Sequence, residues 1–324
     1  MTQDAKLVSA SGFQGLENTL LARVGYHNKI IAQGWESDFL PAITNTEIDG
    51  RIMRCNQIVQ FQKQPSVGPW RRYEKNQELV PDLVSPEGFC MTIENAKYKA
   101  LKFDKLDIKR ICNRWDSFEA SFLDSMYQTL AAEWREYVLC GMALEAHRDN
   151  KGANAGPRRD YNLGSLGAPR MITGASFGRE VAKMKTVLQK RNRWVDGEMV
   201  LILPNGIGEI LVDSPYARAF DMGSCMDCSL LLTGEIPGTV FGAQTFTTNS
   251  ICSTLDPVTN SEAYYVILAH RDAFAFAGDI IEGELVRPPR YFGIEYQTLA
   301  LWGGKAILPD AIAVGYWQLD PIDE

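Results

Sequence analysis

Only three histidines, His27, His147 and His270, occur in 324 residues, so imidazole chemistry has few places to start. His147 follows a long periodic segment whose C-terminal end favours a cation, and capping that helix is the role expected of it. His270 precedes Arg271 and Asp272, an arrangement that predicts a structural hydrogen bond rather than a charge relay. Cys225 and Cys228 form a lone CxxC in MGSCMDCS. A metal site needs two further ligands and redox work needs an exposed thiol of low pKa; neither is indicated, and buried or incidental thiols are expected. Asp49, Asp104, Asp107, Asp116 and Asp272 offer carboxylates, yet no spacing sets two of them across a sugar-sized gap. GxSxG, HExxH, phosphate-loop and GxGxxG patterns are absent. No catalytic, cofactor-binding or metal residue is therefore nominated and no cofactor is expected, with an undetected hydrolase kept as an alternative.

The whole chain sets further bounds. Its formal charge is −7, from 33 Lys and Arg against 40 Asp and Glu, which argues against a dedicated nucleic-acid binder but leaves room for a protein that encloses DNA without gripping it. No run of 18 apolar residues is present, so no membrane partner is expected, and MTQDAKLVSASGFQG lacks the order of a secretory signal, which points to a cytoplasmic origin. The seven cysteines, at 55, 90, 112, 140, 225, 228 and 252, are odd in number and scattered, so mostly reduced, buried thiols are expected.

The element that must organise these parts runs from Trp115 to His147. Phe118, Phe122, Met126, Leu130, Trp134, Val138 and Met142 recur every four residues, Leu123, Tyr127, Ala131 and Leu144 widen the apolar face, and polar residues fill much of the remainder. That is a helical pattern, and about 30 residues at 1.5 Å each make a rod of roughly 45 Å. Asp116 and Glu119 offer a capping box at its start. Two shorter helices parted near Gly141 are the alternative.

Around it the chain is irregular. The first 45 residues lack the apolar pattern of a self-sufficient core and suit an arm lying on a neighbour. RIMRCNQIVQF and GFCMTIE read as strands on either side of a polar, proline-bearing middle, a long two-stranded excursion. NAKYKALKFDKLDIKRICNR sets seven basic residues, Lys97, Lys99, Lys102, Lys105, Lys109, Arg110 and Arg114, against Asp104 and Asp107, in a strand or bend before the rod. A solvated face or inter-subunit salt bridges account for this charge better than nucleic-acid contact. Residues 151–169 form a loop, and SFGREVAKMKTVLQKRN a helix with Val181, Met184 and Leu188 on one face. MVLILP is a buried strand, NGIG a turn, and SPYARAF a helix capped by Ser214; VFGAQTFTTNSI, AYYVILA and the segment from Lys305 to Trp317 supply further strands. The mixture predicts an α+β architecture.

Taken in order, these stretches resemble the major capsid proteins of tailed double-stranded DNA bacteriophages. FLPAITNTEIDG at 39–50 is similar to the junction of arm and extended loop, and ENAKYKALKFDKLDIKRI at 94–111 to the return strand leading to the spine helix. MVLILP, SPYARAF and GEIPGTVFGAQTFTTNSI resemble the axial-domain core, while YYVILAHRDAFAFAGDI and RYFGIEYQTLALWGGKAILPDAIAVGY resemble the terminal region. No one string is specific; the ordered set carries the likeness across nearly the whole chain.

The resemblance implies an HK97-like capsid fold with an N-terminal arm at 1–46, an extended hairpin loop at 47–96, a peripheral domain with a long spine helix at 97–170 and 280–324, and an axial domain at 171–279. It implies a structural protein, not an enzyme, that assembles with itself as hexamers and pentamers into an icosahedral shell around packaged double-stranded DNA with weak contacts. Assembly would take place in the bacterial host cytoplasm, with the virion capsid as destination. The short N-terminus implies a separate scaffolding protein, a portal is expected, and a decoration protein is compatible. No motif pins Lys63 or Lys75 to an isopeptide crosslink, so none is expected. Another ring- or tube-forming virion protein of related fold is the second alternative.

Overall fold

A computed structural model describes residues 39–45, 58–63, 70–72, 74–75, 78, 81, 87–110, 115–212 and 238–319. In chain order these form α1 (Leu40–Ile43), β1 (Ile58–Lys63), β2 (Glu87–Thr92), β3 (Asn95–Asp104), α2 (Lys105–Arg110), α3 (Trp115–Glu145), β4 (Arg170–Ile172), α4 (Phe177–Lys190), β5 (Met199–Pro204) and α5 (Ile207–Val212). After residue 237 come β6 (Thr239–Val240), β7 (Ala243–Thr248), β8 (Ser253–Leu255), β9 (Glu262–His270), β10 (Phe274–Val286), β11 (Gly293–Ala306) and β12 (Ile312–Leu319).

The expected rod is one continuous helix of 31 residues, α3, with no break at Gly141. Gly141 instead permits close packing: a Cβ there would lie 2.9 Å from Phe274 Cζ, at the start of β10. Val138, Leu139, Met142 and Ala143 are buried, whereas most of the helix between Ser121 and Tyr137 is only partly covered. Burial of a large aliphatic side chain contributes roughly 1.5–3 kcal/mol, so the C-terminal third anchors the rod. Leu144, expected on the apolar face, is 75% exposed. It stands two residues from Met142, about 200° around the axis at 3.6 residues per turn. The side chains of Asp116 and Glu119 lie outside the described set.

Three sheets organise the strands. β1 and β2 form an antiparallel pair with Ile58 opposite Thr92 and Lys63 opposite Glu87, the two-stranded excursion expected from the pattern. Its root is fixed where Met91 and Ile93 pack on Ala275 and Ala277. There Gly303 admits the chain: a Cβ on it would meet Thr92 O at 2.5 Å. The second sheet is antiparallel in the order β10-β11-β3. α3 crosses one face of it, with Trp134 edge-on to Phe276 and Trp302 and Phe122 edge-on to Phe103.

The third sheet has seven strands in the order β4-β12-β9-β5-β7-β6, with β8 also pairing β9. All six residues of β5 are buried, between parallel β7 and antiparallel β9. A continuous apolar run is what a strand covered on both faces requires. α4 packs beside it through Val181, Met184, Val187 and Leu188. β12 leaves the β10-β11 hairpin and joins this sheet between β4 and β9, because Ile312 to Trp317 are all buried there.

One expectation about cysteine fails. Cys140 of α3 is disulfide-bonded to Cys252, 112 residues away. The fold brings their Cα atoms to 5.1 Å, within bridging range, which spacing along the chain could not reveal. Cys90 is a free, exposed thiol. Cys225 and Cys228, His27, Asp49 and the SPYARAF helix lie outside the described residues.

Candidate functional site

The two described histidines, His147 and His270, do not converge. His147 does not cap α3; its Nδ1 accepts from the Asp149 amide at 3.2 Å and so caps the 3-10 turn Arg148–Asn150. The helix carbonyls are taken by a residue that the sequence reading passed over. Lys151 Nζ donates to Leu144 O at 2.6 Å and Ala143 O at 3.3 Å, and burial lowers the pKa of that ammonium. The correction has a steric cause: the chain leaves its helix at Glu145, and two further residues carry His147 into the turn. Arg191, at the end of α4, meets Asp149 at 2.5 Å, Asp310 at 3.1 Å and His147 Nδ1 at 3.1 Å, fastening α4 to the β11-β12 connection.

His270 makes the structural hydrogen bond expected of it. Its Nε2 is 2.8 Å from Glu198 Oε2 and its Nδ1 accepts from the Asp272 amide, so both ring nitrogens are engaged and neither faces a nucleophile. Nearby, an open cleft of about 410 Å³ runs between residues 41–45 and the start of β5. Its charged lining is internally paired, with Arg271 3.8 Å from Glu198 and 3.7 Å from Asp272. The Thr44 hydroxyl on this cleft donates to Leu40 O at 2.7 Å. No nucleophile and base stand within reach of each other there, the geometry that acyl or glycosyl transfer would require. Among the described residues no group of three or more His, Cys, Asp or Glu could hold a metal ion, and no helix is long and apolar enough to cross a membrane.

Groups with displaced pKa values serve the fold. Asp256 is fully buried in the β8-β9 loop, where desolvation pushes its pKa up. Amides of Thr259, Gly167 and Val258 and the Tyr316 hydroxyl outweigh that and hold it below the usual carboxylate range. The Gly167 contact, at 2.7 Å, ties the 164–168 loop to the seven-stranded sheet. Tyr127 is raised by its hydrogen bond to Tyr296, 3.0 Å away, which joins α3 to β11. These sites are dispersed through the molecule, whereas catalytic groups need to share a pocket.

What the molecule does present is extended surface. Asp104 Oδ1 accepts from the Leu106 amide at 2.8 Å and starts α2, a short helix in the stretch expected to be a strand or bend, whose first part is the strand β3. β3 is exposed along most of its length, with Tyr98 82% exposed, and Phe292 at the β10-β11 turn is 85% exposed. Lys102 Nζ sits 3.2 Å above the Tyr291 ring beside it. Lys97 of the basic stretch pairs with an internal carboxylate, Glu133 of α3 at 2.7 Å. Large aromatics exposed beside lysines suit contact with another macromolecule better than a small-molecule pocket.

Neither a family model nor a curated protein matches the chain. Solved structures do. A structure from Mycobacterium phage Che8 superposes with a TM-score of 0.68 at 17% identity, covering 90% of this chain and 95% of that one. The capsid structure of the cyanophage P-SCSP1u gives 0.62 at 13% identity over 99% of both chains. The mature capsid of bacteriophage PhiM1 gives 0.61 at 10% identity over the full length of both. The described residues therefore have the α+β fold of these phage structures.

Proposed function

We propose that this chain is a major capsid protein that assembles with itself, as hexamers and pentamers, into an icosahedral shell around packaged double-stranded DNA. The observation that carries the reading is the fold match to the PhiM1 mature capsid, which covers the full length of both chains. The form of the molecule supports it: a projecting hairpin and an open sheet face have little use in a monomer and much in a lattice of neighbours. The protein acts by assembly rather than by catalysis, and needs no cofactor.

In this reading residues 1–46 are an arm and 47–96 an extended loop that reach adjacent subunits. α3 is the spine of a peripheral domain that includes the three-stranded sheet, and the seven-stranded sheet is the axial domain. Strand pairing favours counting 312–319 with the axial sheet rather than with the rest of 280–324. A scaffolding protein and a portal act during assembly in the host cytoplasm, a decoration protein is compatible, and the virion capsid is the final location. The acidic balance suits weak contact with the enclosed DNA.

Negative-stain electron microscopy of the purified chain, expressed alone and with a candidate scaffolding protein, tests the proposal. Closed shells or capsomer-like rings are expected. Persistent monomers under both conditions would overturn it, and tubes would favour the related virion protein.

A further inference from the structure

The three-stranded sheet is electrically polarised across its strand order. β3, one edge, carries Lys97, Lys99 and Lys102 with Asp104 at its end, and α2 adds further lysines; β10, the other edge, carries Asp279, Glu282 and Glu284 and no cation. Two strand spacings, about 10 Å, part the edges, comparable with the Debye length at 0.1 M salt; between them Glu295 of β11 stands opposite Lys102 and shares a cleft with Lys99 and Glu284, so the rows are balanced only in part within one molecule. Lys99, Asp279 and Glu284 have no ion-pair partner among the described residues. Lys99 and Glu284 are exposed, and no described strand pairs the outer edge of β3. On the outer edge of β10 a bridge from Asn45 reaches Ala275, nine positions before Glu284.

Resting on the capsid reading, we infer that the basic β3 edge of one subunit docks against the acidic β10 edge of a second copy, in a head-to-tail contact that orders subunits around a ring. A contact of β3 with β3 or β10 with β10 would set like charges together and is disfavoured, whereas the heterologous pairing uses both rows in one interface and closes if the rotation closes. Nucleic acid would satisfy the lysines but leave the acidic row facing a polyanion. Lys97 contributes less, because Glu133 already holds it.

Charge reversal tests this. One variant carries Lys99→Glu with Lys102→Glu, a second carries Asp279→Lys with Glu284→Lys, and a third combines all four. With the wild-type chain assembling as the reference, each single-edge variant is expected to lose at least about tenfold in ring or shell yield, and the four-fold variant to regain most of it. Melting curves identify folded variants; for any that unfolds, Lys99→Gln and Glu284→Gln take its place, with a several-fold loss expected of each. Wild-type yield from both single-edge variants, or no recovery in the combination, would overturn the inference while leaving the capsid reading intact. So would normal shells lacking DNA from the lysine variant, which would assign the basic edge to nucleic acid. Failure of the wild-type chain to assemble would instead overturn the capsid reading.

Discussion

The seven-stranded sheet and the three-stranded sheet solve burial in opposite ways. In the first, β5 is buried at every residue, β12 at six of eight and β9 at five of nine, so the middle of the sheet is covered on both faces within one subunit. In the second, α3 covers one face while β3 leaves Tyr98, Lys99 and Ala100 in solvent. The contrast separates what this chain needs in order to fold from what it holds in reserve for neighbours. Substitutions should divide accordingly, in stability on one side and in assembly on the other.

The widest division is expected between Ile267→Ala and Tyr98→Ala. Ile267 is fully buried in β9, so truncation should cost about 2–5 kcal/mol in denaturant unfolding. Tyr98→Ala should stay within about 0.5 kcal/mol and show its effect only in shell yield. Equal costs would erase the distinction between the two sheets. Next comes the covalent tie between them. Reducing the Cys140–Cys252 bond, or making Cys252→Ser, removes a constraint on a 112-residue separation and should cost about 2–4 kcal/mol, with Cys90→Ser as a silent control in the same melts.

A narrower effect sharpens the picture of the larger sheet. The folded-state pKa of Asp256 lies below its unfolded value, so its contribution is fully present above the ordinary carboxylate range, near about 3.9. It is lost as pH falls from there through the lowered folded value. Asp256→Asn should therefore destabilise the protein near neutrality and flatten the acid limb of its stability profile, read as the unfolding midpoint between about pH 5 and pH 2. An unchanged acid limb would mean that the loop held by Gly167 and Val258 does not depend on that charge.

Much of the fold was written in local pattern. The spacing of Met126, Leu130, Trp134, Val138 and Met142 specifies α3, and the unbroken run MVLILP specifies β5, because helix and strand periods are properties of neighbouring residues. What stayed hidden depends on distant residues meeting. Nothing near Cys140 announces Cys252, and nothing in β12 says that it will insert between β4 and β9 instead of extending the β10-β11 hairpin. His147 and Lys151 exchanged roles for a local reason, since a helix ending two residues early transfers its carbonyls to the next lysine downstream. The lysine-rich stretch was visible as charge, but its opposition to the acidic row on β10 emerged only when pairing through β11 made both strands edges of one sheet.

The chain crosses between the two sheets three times, once through α2 and α3 and twice by short connections that touch. Arg271 to Ala273 carry the chain from β9 into β10, residues 307–311 bring it back from β11 to β12, and the amides of Ile307 and Leu308 both donate to Ala273 O, at 2.8 and 3.1 Å. Mechanically, two straps pinned at one point resist shear: sliding one sheet past the other there would break both hydrogen bonds. α3, which packs on both sheets and is bonded through Cys140 to Cys252, braces the same joint from a second direction.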